Sequence, residues 1–194
     1  GAGGDEIVVD DVLVGDVWVL GGQSNMEGCG WREQALPSMP DVRAFYMTDE
    51  WDVARDPLHT LWCAVDPVHG GNPAARRHPI PHQRGVGLGV AFAIEMRKRI
   101  GIPQGLIACA HGGTRMKQWD PALKKQGGRS FYGAMLRRVR KNGGRVAGVV
   151  WYQGESDANL TEAPEFTPRV IRMVRAMRRD FGDARLPIAM VQIG

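Results

Sequence analysis

Apolar residues along the chain fall into short runs that predict strands. Residues 7–20, IVVDDVLVGDVWVL, hold two β-branched runs separated by a polar patch and Gly15, which predicts a strand, a turn and a buried strand. Residues 42–46, VRAFY, predict a further short strand. The segments GLIACA, VAGVVW and PIAMVQI are nearly continuous in apolar residues, as is typical of strands buried on both faces.

Between these strands, apolar residues recur at helical spacing. The segment 85–101 has this spacing, basic residues in its last turn and Gly101 as a stop, and residues 130–142 predict a second helix before Gly143. Thr167 and Pro168 suit the N-cap and first position of a third helix that ends at Gly182.

Strands that alternate with helices predict a parallel sheet covered on both faces. We therefore expect an α/β fold, a three-layer α/β/α sandwich with a central parallel sheet of about five strands. A length of 194 residues, 43% of them hydrophobic, is suited to one domain spanning residues 1–194. Residues 51–84 have no sustained period and are too long for a routine connection, so we expect this loop to influence ligand selectivity.

Composition narrows the classes of function. The net charge of +4 comes from arginines in 137–145 and 169–179, which alternate with apolar residues at helical spacing and predict solvated helix faces rather than a nucleic-acid site. A nucleic-acid-binding domain would show DNA affinity that falls steeply with salt. The three cysteines, Cys29, Cys63 and Cys109, lack metal-ligand spacing, so no metal, cofactor or disulfide framework is predicted. No apolar run approaches the length of a membrane span.

Three turns that follow predicted strands carry candidate chemistry, because active sites of open α/β sheets lie beyond the carboxyl ends of strands. They read GGQSNME from Gly21, HGGT from His111, and QGESD from Gln153.

Ser24 has two interpretations. With Glu27 three residues later it forms a capping box, in which the hydroxyl only satisfies backbone amides. At a strand-to-helix turn it would also present its hydroxyl at the sheet edge as a nucleophile. Gln153 could direct its amide at an oxyanion, or simply bond to the backbone. Glu155 and Asp157 form a possible carboxylate pair, but capping the following segment fits their spacing better.

Two familiar motifs are excluded. His111-Gly112-Gly113 is similar to the oxyanion segment of lipases, but the chain has no G-x-S-x-G elbow. The glycines at 85, 87 and 89 lack the G-x-G-x-x-G spacing of a dinucleotide site and follow no strand.

Six segments together resemble the SGNH-hydrolase superfamily, specifically the group of sialate O-acetylesterases and family-six carbohydrate esterases, which include acetylxylan esterases. The matching segments, from about residue 12 to the end, are VLVGDVWVLGGQSNM, GVGLGVAFAIEM, GLIACAHGGTRMKQW, FYGAML, GVVWYQGESDA and LPIAMVQIG. The pair GQSNM and WYQGES is the most specific part, and it favours the nucleophile interpretation of Ser24.

The resemblance implies a carbohydrate O-acetyl esterase that uses a serine acyl-enzyme and no cofactor. It makes Ser24 the catalytic nucleophile. The oxyanion donors that it implies are the Ser24 backbone N–H, the Gln153 amide and the N–H of one glycine, for which Gly87 is the first choice and Gly85 and Gly89 are the alternatives. The residues that it implies to shape the pocket are Gln23, Asn25, Gly112, Gly113, Trp119 and Glu155. The expected partner is an acetylated carbohydrate, and the expected location is secreted or periplasmic.

The chain departs from that group in its histidines. The group places an Asp-x-x-His block after the last strand, whereas here the pattern occurs only as Asp56–His59 and Asp66–His69, inside the middle loop. The other histidines are His78, His82 and His111. We expect the chain to be a fragment that hydrolyses poorly, with its Asp and His supplied by further sequence or a second chain. The alternative function is a non-catalytic carbohydrate-binding module on the same fold.

Overall fold

The computed structural model describes residues 10–72, 74 and 83–193. The strands are β1 (Asp16–Gly22), β2 (Gly30–Trp31), β3 (Val42–Phe45), β4 (Trp51–Val53), β5 (Arg84–Val86), β6 (Gln104–Ala108), β7 (Gly148–Tyr152) and β8 (Ile188–Met190). The α-helices are α1 (Ser24–Glu27), α2 (Leu88–Ile100), α3 (Phe131–Lys141) and α4 (Ala163–Asp180). Short 3-10 turns occupy parts of the connections.

Six strands form the central sheet, in the order β4-β3-β6-β1-β7-β8. Five of them run parallel, which confirms the prediction, and β4 adds an antiparallel edge through a hairpin with β3. That hairpin closes where the Tyr46 N–H donates to the Glu50 carbonyl at 2.9 Å and Asp49 takes a positive φ of 64°. The sequence-based prediction assigned β4 to the long loop because it did not recognise this turn.

Helices cover both faces of the sheet, so the three-layer prediction is also confirmed. Neighbouring residues of β1 point to opposite faces: Val19 packs in the core beneath α3 and α4, and Leu20 in the core beneath α2. The spatial order places β1 between β6 and β7. The chain leaves β1 for one side of the sheet and later crosses to the other, so a crevice is expected at the carboxyl end of β1.

Two of the helices lie close to their predicted ranges, and the predicted stop of α2 is confirmed. Gly101 ends α2 with a left-handed conformation, φ +76°, and its N–H donates to the Arg97 carbonyl. Ser130 caps α3, where its hydroxyl accepts the Gly133 N–H at 3.1 Å.

The predicted start of α4 is wrong. The helix begins at Ala163 rather than after Thr167, and Pro168 lies inside it. The upstream cap is Asn159, whose side-chain oxygen accepts the N–H groups of Thr161 and Glu162 at 3.1 Å. Asn159 lies eight residues before Thr167, and it was not singled out in the sequence.

The first apolar run was predicted too broadly. Residues 1–9 lie outside the described part of the chain, residues 10–15 form no strand, and β1 begins at Asp16. At the other end, β8 is shorter than the predicted 187–193.

Candidate active site

The three candidate turns lie side by side at the carboxyl edge of the sheet, because β6, β1 and β7 are neighbours. Backbone hydrogen bonds join them: the Gln23 N–H donates to the Tyr152 carbonyl at 2.9 Å, and the His111 N–H donates to the Gly22 carbonyl at 3.1 Å. The sequence-predicted residues of these turns are therefore brought together by sheet order.

Ser24 is the first residue of α1 and is half-buried. The sharp turn into the helix depends on Gly22, whose φ is +128° and whose missing Cβ would stand 2.0 Å from the Tyr152 carbonyl oxygen. Within the described ranges, no hydrogen bond occupies the Ser24 hydroxyl. The turn thus presents a serine hydroxyl that backbone capping does not use.

The capping-box interpretation of Ser24 is wrong. The N-cap position of α1 is Gln23, without a side-chain capping bond, and the Glu27 carboxylate accepts the Gly112 N–H instead. Burial raises the pKa of Glu27, and this hydrogen bond opposes the rise. Glu27 therefore joins the first turn to the HGGT turn rather than closing on its own helix.

Gly112 makes the approach of those two turns possible. A Cβ at this position would stand 2.8 Å from Glu27 Oε2 and 3.6 Å from the Cβ of Ser24. Gly113 follows with φ +70°. This glycine pair lets the HGGT backbone lie against the serine.

The side chain of Gln153 joins all three turns. Its amide nitrogen lies 3.1 Å from Gln23 Oε1, 2.6 Å from the Thr114 carbonyl oxygen and 3.2 Å from Asp157 Oδ2. Gln23 Oε1 also accepts the Ser156 N–H at 3.1 Å. Both Gln153 N–H groups are thus directed at protein acceptors, and the buried amide acts as a brace between the turns.

The remaining residues that the resemblance assigns to the pocket lie around the Gln153 side chain. Asn25 donates its side-chain N–H to Glu155 Oε1, beside the serine, and Glu155 Oε2 is buried without a partner among the described residues. Trp119 is fully buried and donates its indole N–H to the Thr114 hydroxyl at 3.1 Å, which supports the HGGT turn from below. Asp157 accepts the Met116 N–H, so it caps a segment and does not pair with Glu155.

Gly87 packs directly against α1. A Cβ there would stand 2.8 Å from the Met26 carbonyl oxygen, and the Gly87 N–H donates to Asp56 Oδ1 at 3.4 Å. Burial raises the pKa of Asp56 to about 6, against the lowering effect of the Gly87 N–H. By contrast, Gly89 faces Leu20 and Leu58 in the core.

Neither Asp-x-x-His pair makes a side-chain Asp–His hydrogen bond in the described part of the chain. The Asp66 carboxylate binds the Arg137 guanidinium through both oxygens, at 2.6 and 2.7 Å. His59 is buried with Nδ1 3.1 Å from the Glu27 carbonyl oxygen, and burial lowers its pKa to about 4. His59 therefore supports α1 as a neutral imidazole.

His69 and His111 form an imidazole pair that the sequence did not indicate. Their Nδ1 atoms are 3.0 Å apart, so one ring donates and the other accepts, and the rings stack with an interplanar angle of 22°. Burial and the neighbouring His111 lower the pKa of His69 to about 2, and burial lowers that of His111. His78 and His82 lie outside the described residues.

The described ranges hold no cluster of three or more His, Cys, Asp or Glu side chains placed to bind a metal ion. Among the same residues, no helix is long and apolar enough to cross a membrane.

Three polar turns that meet at the carboxyl edge of a mainly parallel sheet occupy the position where the active sites of α/β enzymes lie. The family model for the sialic acid-specific acetylesterases, a carbohydrate esterase family called SASA, matches residues 14–194. The chain belongs to this family.

Similar proteins agree with that membership. A probable carbohydrate esterase of Arabidopsis thaliana is 31% identical, over 91% of this chain and 68% of its own length. An X-ray structure of an Arabidopsis thaliana protein aligns with a TM-score of 0.71 at 28% identity, covering 91% of this chain and 73% of that one. A carbohydrate acetylesterase from Xanthomonas citri aligns with a TM-score of 0.66 at 27% identity, covering 94% and 42%.

Proposed function

We propose that the protein hydrolyses acetyl esters on carbohydrates with Ser24 as its nucleophile. The observation that carries the proposal is the position of Ser24, whose hydroxyl is left out of helix capping where the turns after β1, β6 and β7 meet. Membership of a carbohydrate esterase family and similarity to a protein named a carbohydrate acetylesterase support the choice of acetylated sugars. Sialic acid and xylan esters are both candidate substrates.

In the proposed reaction, Ser24 Oγ bonds to the acetyl carbonyl carbon and passes its proton to a base. The carbonyl oxygen becomes an oxyanion, for which we propose the N–H groups of Ser24 and Gly87 and the Gln153 amide as donors. Collapse expels the sugar oxygen, which takes up the proton. Water then attacks the acetyl-serine, releasing acetate and restoring the Ser24 hydroxyl.

These donors differ in how readily they become free. The Gly87 N–H makes only a long 3.4 Å bond to Asp56, so an oxyanion can replace that partner at small cost. Gln153 reaches an oxyanion only by releasing one of its three acceptors. The three described histidines, His59, His69 and His111, are bound to protein groups and have lowered pKa values. We therefore assign the base to a histidine that the structure does not describe.

Acetate release distinguishes the esterase from a non-catalytic carbohydrate-binding module. We expect the protein encoded by the complete reading frame to release acetate from acetylated xylo-oligosaccharides or O-acetylated sialic acid, measured by a coupled acetate assay. Binding of these sugars without acetate release would support the binding module and contradict the proposal.

Replacing Gln153 with alanine is expected to reduce acetyl-ester turnover on the order of 10²-fold or more. The variant loses the side chain that joins the three turns, and the oxyanion loses one of its donors. The measurement is kcat on an acetylated sugar. Gln104→Ala is a matched control: Gln104 is equally buried, and its amide accepts the Trp18 N–H and donates to two carbonyls, but it lies at the opposite, amino end of β6. Equal losses in both variants would show that only general destabilisation is involved.

A further inference from the structure

A cleft of about 710 Å³ begins where α1 ends. Its lining includes Glu27 and Gly28 at the end of α1, and Trp31 and Arg84 of the β2–β5 ribbon. The volume lies within the roughly 300–1,000 Å³ that small-molecule sites occupy. The cleft therefore offers room for a ligand next to the helix that carries Ser24.

Trp31 gives this cleft a flat aromatic wall. The residue is 44% exposed, although indole rings are usually covered in folded proteins. The Arg84 guanidinium stands 4.4 Å over the ring, and Arg84 also donates Nη1–H to the Cys29 carbonyl at 3.2 Å. Arg84 thus fixes the orientation of the indole while much of the ring stays accessible.

Glu27 supplies a hydrogen-bond acceptor in the lining of the cleft. One oxygen of its carboxylate accepts the Gly112 N–H. A carboxylate has about four acceptor positions, so it can also accept a hydroxyl from a ligand. His59, behind Glu27, holds the backbone of this residue in place.

The second wall comes from the long middle segment, which contributes Pro57 and the half-buried Trp62. An aromatic face beside a fixed carboxylate suits a ligand that is apolar on its flat side and rich in hydroxyls on its edge. A pyranose ring has this character: its C–H groups meet the electron-rich face of an aromatic ring, and its hydroxyls donate to carboxylates.

We propose that this cleft is a saccharide subsite in which Trp31 stacks on a pyranose ring and Glu27 accepts one of its hydroxyls. The inference rests on the proposed esterase function and names the residues that would hold the sugar while its acetyl group lies at Ser24.

Calorimetric titration with an acetylated xylo-oligosaccharide and with O-acetylated sialic acid tests the subsite without requiring turnover. With Ser24→Ala as background, Trp31→Ala is expected to weaken binding at least tenfold, and Trp31→Phe, which keeps a smaller ring, to recover part of the affinity. Glu27→Gln should weaken binding as well. A loss with both probes would assign the contact to the shared pyranose ring.

Trp51→Ala is the matched control. Trp51 is 43% exposed, almost the same as Trp31, but it lies on the edge strand β4 and donates its indole N–H to Asn142 at 2.7 Å. Unchanged binding in this variant, beside loss in Trp31→Ala, supports the subsite. Equal binding by wild type and Trp31→Ala, or no binding of either sugar by the wild type, overturns it. Trp31-dependent binding without acetate release would overturn the esterase proposal and leave the subsite standing.

Discussion

Replacing Ser24 with alanine is expected to reduce acetyl-ester turnover by a factor on the order of 10⁴ or more, since the variant cannot form an acyl-enzyme. The small side-chain change should leave the fold intact, because the Ser24 hydroxyl makes no hydrogen bond within the described residues. The measurement is acetate release by the protein encoded by the complete reading frame, with circular dichroism to confirm folding.

Ser156→Ala is the control for that experiment. Ser156 lies in the neighbouring QGESD turn and is also half-buried, but it contacts the brace only through its backbone N–H, which bonds to Gln23. Its variant should retain turnover within about twofold of wild type. Comparable losses in the two serine variants would argue against a special role for Ser24.

Replacing Arg138 with methionine is expected to lower the free energy of unfolding by about 3–5 kcal/mol. The Arg138 side chain is completely buried, and its guanidinium donates to three carbonyls, those of Ala108, Phe45 and Tyr46, at 2.6–3.0 Å. It also pairs with Asp49 at 2.7 Å. Methionine fills similar volume but removes the donor from these three carbonyls, whereas Asp49 keeps its bonds to Arg137 and Lys141. Urea denaturation should therefore show a clear fall in the midpoint.

Lys141→Met tests whether the loss of stability expected for Arg138→Met comes from the burial of the Arg138 side chain. Lys141 pairs with the same Asp49 carboxylate at 3.0 Å, but its side chain is 52% exposed. An exposed pair contributes at most about 1 kcal/mol, so this variant should unfold close to wild type. If both variants lose the same stability, the carbonyl contacts of Arg138 do not carry the effect.

The sheet and its three long helices could be predicted because their signals are local. Apolar runs marked the parallel strands, and Gly101 and Ser130 fix the end of α2 and the start of α3 as their residue types suggest. The sequence-based predictions were wrong where a distant or unrecognised residue determines the bounds of an element. The start of α4 is set by Asn159 instead of Thr167, and β4 depends on the Asp49 turn.

In the candidate site, too, the local features could be predicted from the sequence and the long-range contacts could not. The three turns could be identified from sequence because parallel strands place their carboxyl ends at one edge. Their mutual contacts could not, because the acceptor of the Gly112 N–H is a carboxylate 85 positions away, at Glu27. Likewise, Asp56 was read as part of a D-x-x-H pattern, whereas its carboxylate faces the Gly87 N–H.

The central claim is that Ser24 is the nucleophile, and covalent labelling with a fluorophosphonate tests it most directly. Peptide mapping by mass spectrometry should place the adduct on Ser24 in the protein encoded by the complete reading frame, with no adduct in Ser24→Ala. The 194-residue chain should label weakly if its base comes from outside residues 1–194, and strong labelling would implicate a histidine within the chain. An adduct on another residue, with labelling unchanged in Ser24→Ala, would contradict the account.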